Sequence, residues 1–162
     1  MPNFIGLLEA GLFVENLSRA RDFYEQVLGL EKLRDSEVGC VFVVAKGQLL
    51  LLISQEKARV PSKTPGGEVP PCAGDASETL GAGHIAFAAA EAELDAWRAR
   101  LESQGVEVLS EVAWEGAGRS LYFRDPDGHL LEIAVLLQIG GPGRGWVASR
   151  QVATQRRRRS CG

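Results

Sequence analysis

Three ionisable side chains stand where strand-forming segments should hold apolar ones: Glu9 in IGLLEAGLFVE, His84 in GHIAF and Glu132 in GHLLEIAV. A carboxylate within an apolar strand is costly unless something pairs with it. Two carboxylates and an imidazole brought together make a site for a divalent metal, a mostly hard donor set suited to Mn, Fe, Ni, Zn or Mg. Each residue alone has a plainer reading. Glu132 can pair with Arg119 or Arg124, His84 can be a hydrogen-bonded core histidine, and Glu9 a satisfied strand carboxylate. Only their joint placement turns them into a site.

The elements that must position them come in a repeat. Residues 5–15 read as a strand, and Asn16 caps a helix whose apolar stripe is Leu17, Ala20, Phe23, Tyr24, Val27 and Leu28, ended by Gly29. Leu30–Asp35, Gly39–Ala45 and Gln48–Ser54 follow as strands. The pattern then restarts: strand Gly83–Ala88, helix Ala92–Gln104 closed by Gly105, then strands Val106–Val112, Arg119–Arg124 and His129–Val135. Each half is β-α-β-β-β. The expected fold is therefore α+β, two repeated βαβββ modules forming a half-open mixed β-barrel with flanking helices. Domain boundaries are set at 1–135, with module one 1–54, a loop 55–80, module two 81–135, and a basic tail 136–162 that is expected to be disordered.

The duplication fixes four equivalent places. Glu9-Ala-Gly-Leu-Phe corresponds to His84-Ile-Ala-Phe-Ala, and Gly47-Gln-Leu-Leu-Leu51 to Gly128-His-Leu-Leu-Glu132. Strand alternation puts Glu9 with Gly11, His84 with Ala86 and Ala88, and Glu132 with Leu130 and Ala134, so small residues leave room beside the polar ones. The fourth place is Leu51, which cannot bind a metal. His129 falls on the face opposite Glu132 and reads as a turn or surface residue.

Composition excludes several classes. No run reaches the length of a membrane span, and the N-terminus lacks a basic start and carries Glu9, so neither a membrane segment nor a signal peptide is expected. The three cysteines have no CxxC spacing and fit a reducing cytoplasm. Residues 136–162 hold six arginines and no acid, leaving 12 basic against 21 acidic groups, net −9, in residues 1–135. An acidic body does not suit nucleic acid. The loop 55–80, with four prolines and three glycines, shows no periodicity and reads as a linker or a lid.

The run Leu12-Phe-Val-Glu-Asn-Leu-Ser-Arg-Ala-Arg-Asp-Phe-Tyr24 with Val27-Leu-Gly-Leu30, then Gly83-His-Ile-Ala-Phe87, then Tyr122-Phe-Arg-Asp-Pro-Asp-Gly-His-Leu-Leu-Glu132, resembles the vicinal oxygen chelate superfamily. This is the glyoxalase, bleomycin-resistance protein and extradiol dioxygenase fold. The resemblance implies a metal between the modules, often in a homodimer. It gives His84 and Glu132 the family's most recurrent ligand positions and Glu9 a slot often held by His or Gln. Leu51 departs from a four-ligand site, and one His with two carboxylates departs from the dioxygenase set.

The implied activity is that of a metal-dependent enzyme, a lyase, isomerase or dioxygenase, acting on a small oxygen-rich substrate through a metal-stabilised oxyanion. In it Glu9 is a third ligand or the general base. The alternative is a metal-free binding protein of the bleomycin-resistance type that sequesters a cationic drug, with Phe13, Trp114, Tyr122 and Phe123 as groove candidates. A thiol transferase acting on a phosphonate antibiotic, which needs a cationic pocket from Arg119, Arg124 or Lys46, ranks below both.

Overall fold

The computed structural model of the chain describes residues 1–4, 6–72, 80–114 and 118–136. The expected disordered tail therefore lies outside the described residues, apart from the strand end at Leu136, as do residues 73–79 towards the end of the 55–80 loop.

Module one runs β1 (Glu9–Val14), α1 (Leu17–Asp22), a π-helical turn (Phe23–Val27), β2 (Glu31–Asp35), β3 (Gly39–Ala45) and β4 (Gln48–Ser54). The Asn16 side chain accepts from the Arg19 N–H, as its capping position requires. The expected single helix changes register at Phe23, where the Leu28 N–H bonds back to the Phe23 carbonyl. This bulge keeps Phe23, Tyr24, Val27 and Leu28 all buried.

Module two repeats the order with β7 (His84–Ala88), α2 (Leu94–Ser103), β8 (Ser110–Trp114), β9 (Gly118–Arg124) and β10 (Leu130–Leu136). Strand β8 begins four residues later than expected. Gly105, at φ 71°, turns the chain out of α2, and Val106 and Val108 pack against the core before pairing starts. Between the modules a short hairpin, β5 (Ser62–Thr64) and β6 (Gly67–Val69), forms about Pro65 and Gly66, so the loop is not without structure.

The two sheets have the same topology, β1-β4-β3-β2 and β7-β10-β9-β8, and the first strand is parallel to the last in each. The registers match across the repeat. Glu9 lies opposite Leu49 and Gly11 opposite Leu51; His84 lies opposite Leu130 and Ala86 opposite Glu132. One face of each sheet forms the core: Leu12, Val14, Leu50, Leu52, Leu131 and Ile133 are buried with the helix residues Tyr24, Leu94 and Leu101. Burying one such aliphatic side chain contributes about 2 kcal/mol. Among the described residues no helix is long and apolar enough to cross a membrane.

His129 is not the surface residue its turn position suggests. It is 2% exposed, and its ring accepts from the Gly83 N–H at Nδ1 (2.8 Å) while Nε2 lies 3.0 Å from the Phe13 carbonyl. The only pattern that satisfies both is a neutral imidazole donating from Nε2. The ring thus joins β1 to the residue just before His84. His129→Ala leaves a buried N–H and a buried C=O without partners, and we expect a loss of about 2–4 kcal/mol. In urea denaturation the midpoint should fall with the slope unchanged; a midpoint equal to the wild type would refute this role.

Candidate metal centre

The pleat assembles one face of the second sheet from alternate residues: His84, Ala86 and Ala88 on β7, Leu130, Glu132 and Ala134 on β10, Ser120 and Tyr122 on β9, Val112 and Trp114 on β8. On it His84 Nε2 lies 3.3 Å from Glu132 Oε2. The imidazole is about half exposed and the carboxylate is nearly buried. The expected pairing of these two residues is present. Neither Arg119 nor Arg124 meets Glu132: Arg119 bonds Glu111 and Asp95, and Arg124 caps its own turn at the Gly128 carbonyl.

The hydrogen bonds around the pair determine what it can hold. His84 Nδ1 is 3.0 Å from the Leu130 carbonyl oxygen, which can only accept, so Nδ1 carries the proton and Nε2 presents a lone pair when the ring is neutral. That lone pair faces a carboxylate oxygen. Two lone pairs at 3.3 Å repel unless a positive centre, a proton on Nε2 or a metal cation, lies between them. Two ligand atoms each about 2.1 Å from one ion and about a right angle apart are about 3 Å from each other, close to the observed spacing. The backbone partner at Nδ1 is the outer contact that metal-bound histidines use to fix the ring. The pair fits a divalent ion.

Glu132 is held by neutral donors on its other side. The Ser120 hydroxyl donates to Oε1 at 2.5 Å, and the Trp114 indole donates to Ser120 Oγ at 2.9 Å. Tyr122 lies beside Glu132 and stacks on His84 with ring centroids 6.3 Å apart. Ser120 carried no signal in the sequence beyond its place two residues before Tyr122, whose facing position on the hairpin could have revealed it.

Glu9 stands apart. It is exposed on β1, beside a groove of about 200 Å³ that Leu7, Leu49, Ile85 and Phe87 also line, and neither His84 nor Glu132 borders that groove. Among the described residues no third His, Cys, Asp or Glu joins the pair within one chain. Leu51 sits at the expected equivalent place, half-buried. Of the other aromatic candidates, Phe123 is buried core, while Phe13, Trp114 and Tyr122 are at least partly exposed. Cys40 is a core thiol, pushed up to about 11 by burial, and does not face the site.

Comparison with known proteins gives this geometry a family. Residues 6–133 match the Glyoxalase/Bleomycin resistance protein/Dioxygenase superfamily. The chain belongs to it. The chain is 33% identical over 124 residues to the glutathione transferase FosA of Serratia marcescens, covering 76% of each protein. It is 50% identical over 52 residues to the metallothiol transferase FosB of Shouchella clausii, a match spanning 31% of this chain and 36% of that one. Among solved structures, the fosfomycin resistance protein FosX of Listeria monocytogenes, complexed with Mn(II) and sulfate, superposes with a TM-score of 0.59. It is 26% identical, with 82% of this chain and 91% of that one covered. The expected superfamily and its duplicated fold are thus established.

Both tyrosines of the chain are held neutral. Burial first, then the Glu132 charge, pushes Tyr122 up to about 12, and burial with Asp125 raises Tyr24 far above the ordinary phenol value. Unfolded tyrosines lose their protons near pH 10 while the folded ones keep them, so the fold binds more protons above that pH. This contribution to stability is complete below about pH 10 and is lost as pH rises towards 12. Tyrosinate ultraviolet absorbance should therefore appear late and together with unfolding. An early transition of the native chain near pH 10 would contradict it.

Proposed function

We propose that the chain is a divalent-metal-dependent enzyme that opens a small oxygen-rich electrophile, with His84 and Glu132 as two ligands and Glu9 of a second copy as the third. The observation that carries this reading is the His84–Glu132 pair, whose two facing lone pairs stand at a spacing that one shared divalent ion accommodates. The bound ion supplies Lewis-acid polarisation of a substrate oxygen. The chain's own residues do the rest. His84 and Glu132 orient the site, Tyr122 keeps a neutral hydroxyl beside the carboxylate, and the small side chains Ala86 and Ala88 leave space over β7.

The homodimer is supported by what one chain leaves uncovered. The face of the first sheet that carries Glu9 also carries Phe13, Val41, Val43, Leu49, Leu51 and Ile53, all only partly buried. An apolar sheet face of this kind marks an interaction surface. Placed over the equivalent face of a second chain, it brings Glu9 to the metal pair, related by the register that equates Glu9 with His84.

Relatives named as transferases and fosfomycin resistance proteins make fosfomycin, an epoxide bearing a phosphonate, the first substrate to test. Ring opening then takes either a thiol or water as nucleophile. The one feature weighing against a phosphonate is that Arg119 and Arg124 are both engaged elsewhere. Sequestration of a drug without metal is the second reading, favoured by the half-exposed apolar face and by Leu51. The reduced thiols Cys40 and Cys72 are consistent with a cytoplasmic protein.

Dialysed and reconstituted protein should hold about one Mn(II) per chain by metal analysis, lost in His84→Ala and Glu132→Ala and weakened about 10-fold or more in Glu9→Ala. Mixing Glu9→Ala with His84→Ala chains should restore one of the two sites in every mixed dimer, about a quarter of all sites when the chains exchange at random. Phosphorus NMR of fosfomycin with Mn(II), with and without added thiol, separates transfer from hydrolysis. Metal that stays bound in His84→Ala, or no metal after reconstitution, would overturn the reading.

A further inference from the structure

We propose that Trp114 and Ser120 are positioning residues for Glu132, a directed relay that occupies Oε1 and leaves Oε2 as the single carboxylate oxygen offered beside His84. The proposal rests on the metal reading above.

The direction of the relay follows from what each group can do. An indole N–H is a donor and nothing else, so at 2.9 Å it must point at a lone pair of Ser120 Oγ. A serine hydroxyl otherwise rotates to suit its surroundings. With that lone pair taken, its proton is steered the other way, to Glu132 Oε1 at 2.5 Å. Ser120 is fully buried, so no solvent molecule competes for that proton. Charge-assisted bonds of this kind are about twice as strong as neutral ones.

The two carboxylate oxygens are thereby made different. Oε1 is bound from the β9 side, and Oε2 faces His84. A buried glutamate needs partners in any case, and a merely satisfied one would need no more than the serine. The added indole does something further. It comes from β8, the far strand of the sheet, and locks the serine rotor from a position that is itself 38% exposed on the site's face. Carboxylate rotation that would bring Oε1 towards His84 must break the serine bond, and the indole keeps the hydroxyl from following it. Outer contacts of this type change metal affinity by about 10- to 100-fold.

The test uses the full-length chain and Mn(II), with electron paramagnetic resonance of the free ion as the readout. Ser120→Ala should weaken binding about 10- to 100-fold and Trp114→Phe about 3- to 10-fold. The double variant should be no weaker than Ser120→Ala alone, because both substitutions break one path. The Trp114 indole N–H resonance, assigned by its absence in Trp114→Phe, should move in Ser120→Ala without any metal. Loss of a buried hydrogen bond lowers thermal stability in each variant whatever the role of these residues, so affinity and the resonance decide. Binding unchanged within twofold in Ser120→Ala, or additive effects in the double variant, would overturn the relay and leave the metal reading standing. A wild-type chain that binds no Mn(II) would overturn both. If Ser120→Ala does not fold, Trp114→Phe, at a partly exposed position, still decides by its affinity.

Discussion

The turn Asp125-Pro126-Asp127-Gly128-His129 holds the two modules in one register, and everything at the His84–Glu132 pair depends on it. Its odd-numbered side chains all reach out of module two. Asp125 takes the buried Tyr24 hydroxyl at 2.9 Å, Asp127 takes the Glu15 N–H at 2.8 Å, and His129 bridges Phe13 and Gly83. Asp125 also accepts from the Asp127 and His129 N–H groups, so the turn is locked before it is used. Gly128, at φ 84°, supplies the left-handed residue that the tight reversal needs. The polar atoms are buried yet nearly all paired, which is the condition under which such a network specifies rather than weakens a fold.

This turn explains how the fold and the site are connected. His129 fixes Gly83, and the Gly83 carbonyl accepts from Leu130, so the start of β7 is tied on both sides. His84 follows directly, with its Nδ1 on the Leu130 carbonyl. The imidazole that presents a lone pair to Glu132 is therefore set by backbone that the turn holds. Arg100 adds a second tie, donating from α2 to the Gln26 and Val27 carbonyls at the end of the π-helical turn. Those carbonyls are left over where the helix of module one ends, so the tie satisfies both modules.

Much of this was legible in the chain. The duplication, the strand alternation and the His84–Glu132 pairing follow from period-two and period-3.6 patterns together with the matched segments around Gly47 and Gly128. What was not legible depends on long-range partners. His129 looks like a turn residue because nothing local reveals the Phe13 carbonyl 116 positions away. The π-helical turn is invisible to a helical stripe, since one added residue changes which groups bond but not which are apolar. Glu9 was expected at the same metal, and equivalence by repeat does place it correctly on its own sheet. Equivalence cannot say whether the two sheets meet face to face within a chain.

The asymmetry between the modules has a physical cause that the registers expose. On module two Glu132 lies opposite Tyr122, and the next pair is Ala134 with Ser120. At the equivalent places on module one, Leu51 lies opposite Val41, and Ile53 opposite Gly39. The carboxylate, its serine donor and the neighbouring tyrosine hydroxyl occur together, and where the two hydroxyl residues are replaced by Val41 and Gly39 the carboxylate is a leucine. A glutamate at position 51 would be half-buried with no hydroxyl in reach from β3, leaving the desolvation of its charge uncompensated. Leu51 is thus not an isolated loss of one ligand but the consistent apolar version of the same three-residue unit. One sheet keeps a supported carboxylate and the other keeps an apolar face with Glu9 at its edge. The duplicated fold thereby supplies two different halves, and a site that needs both is complete only where unlike halves meet.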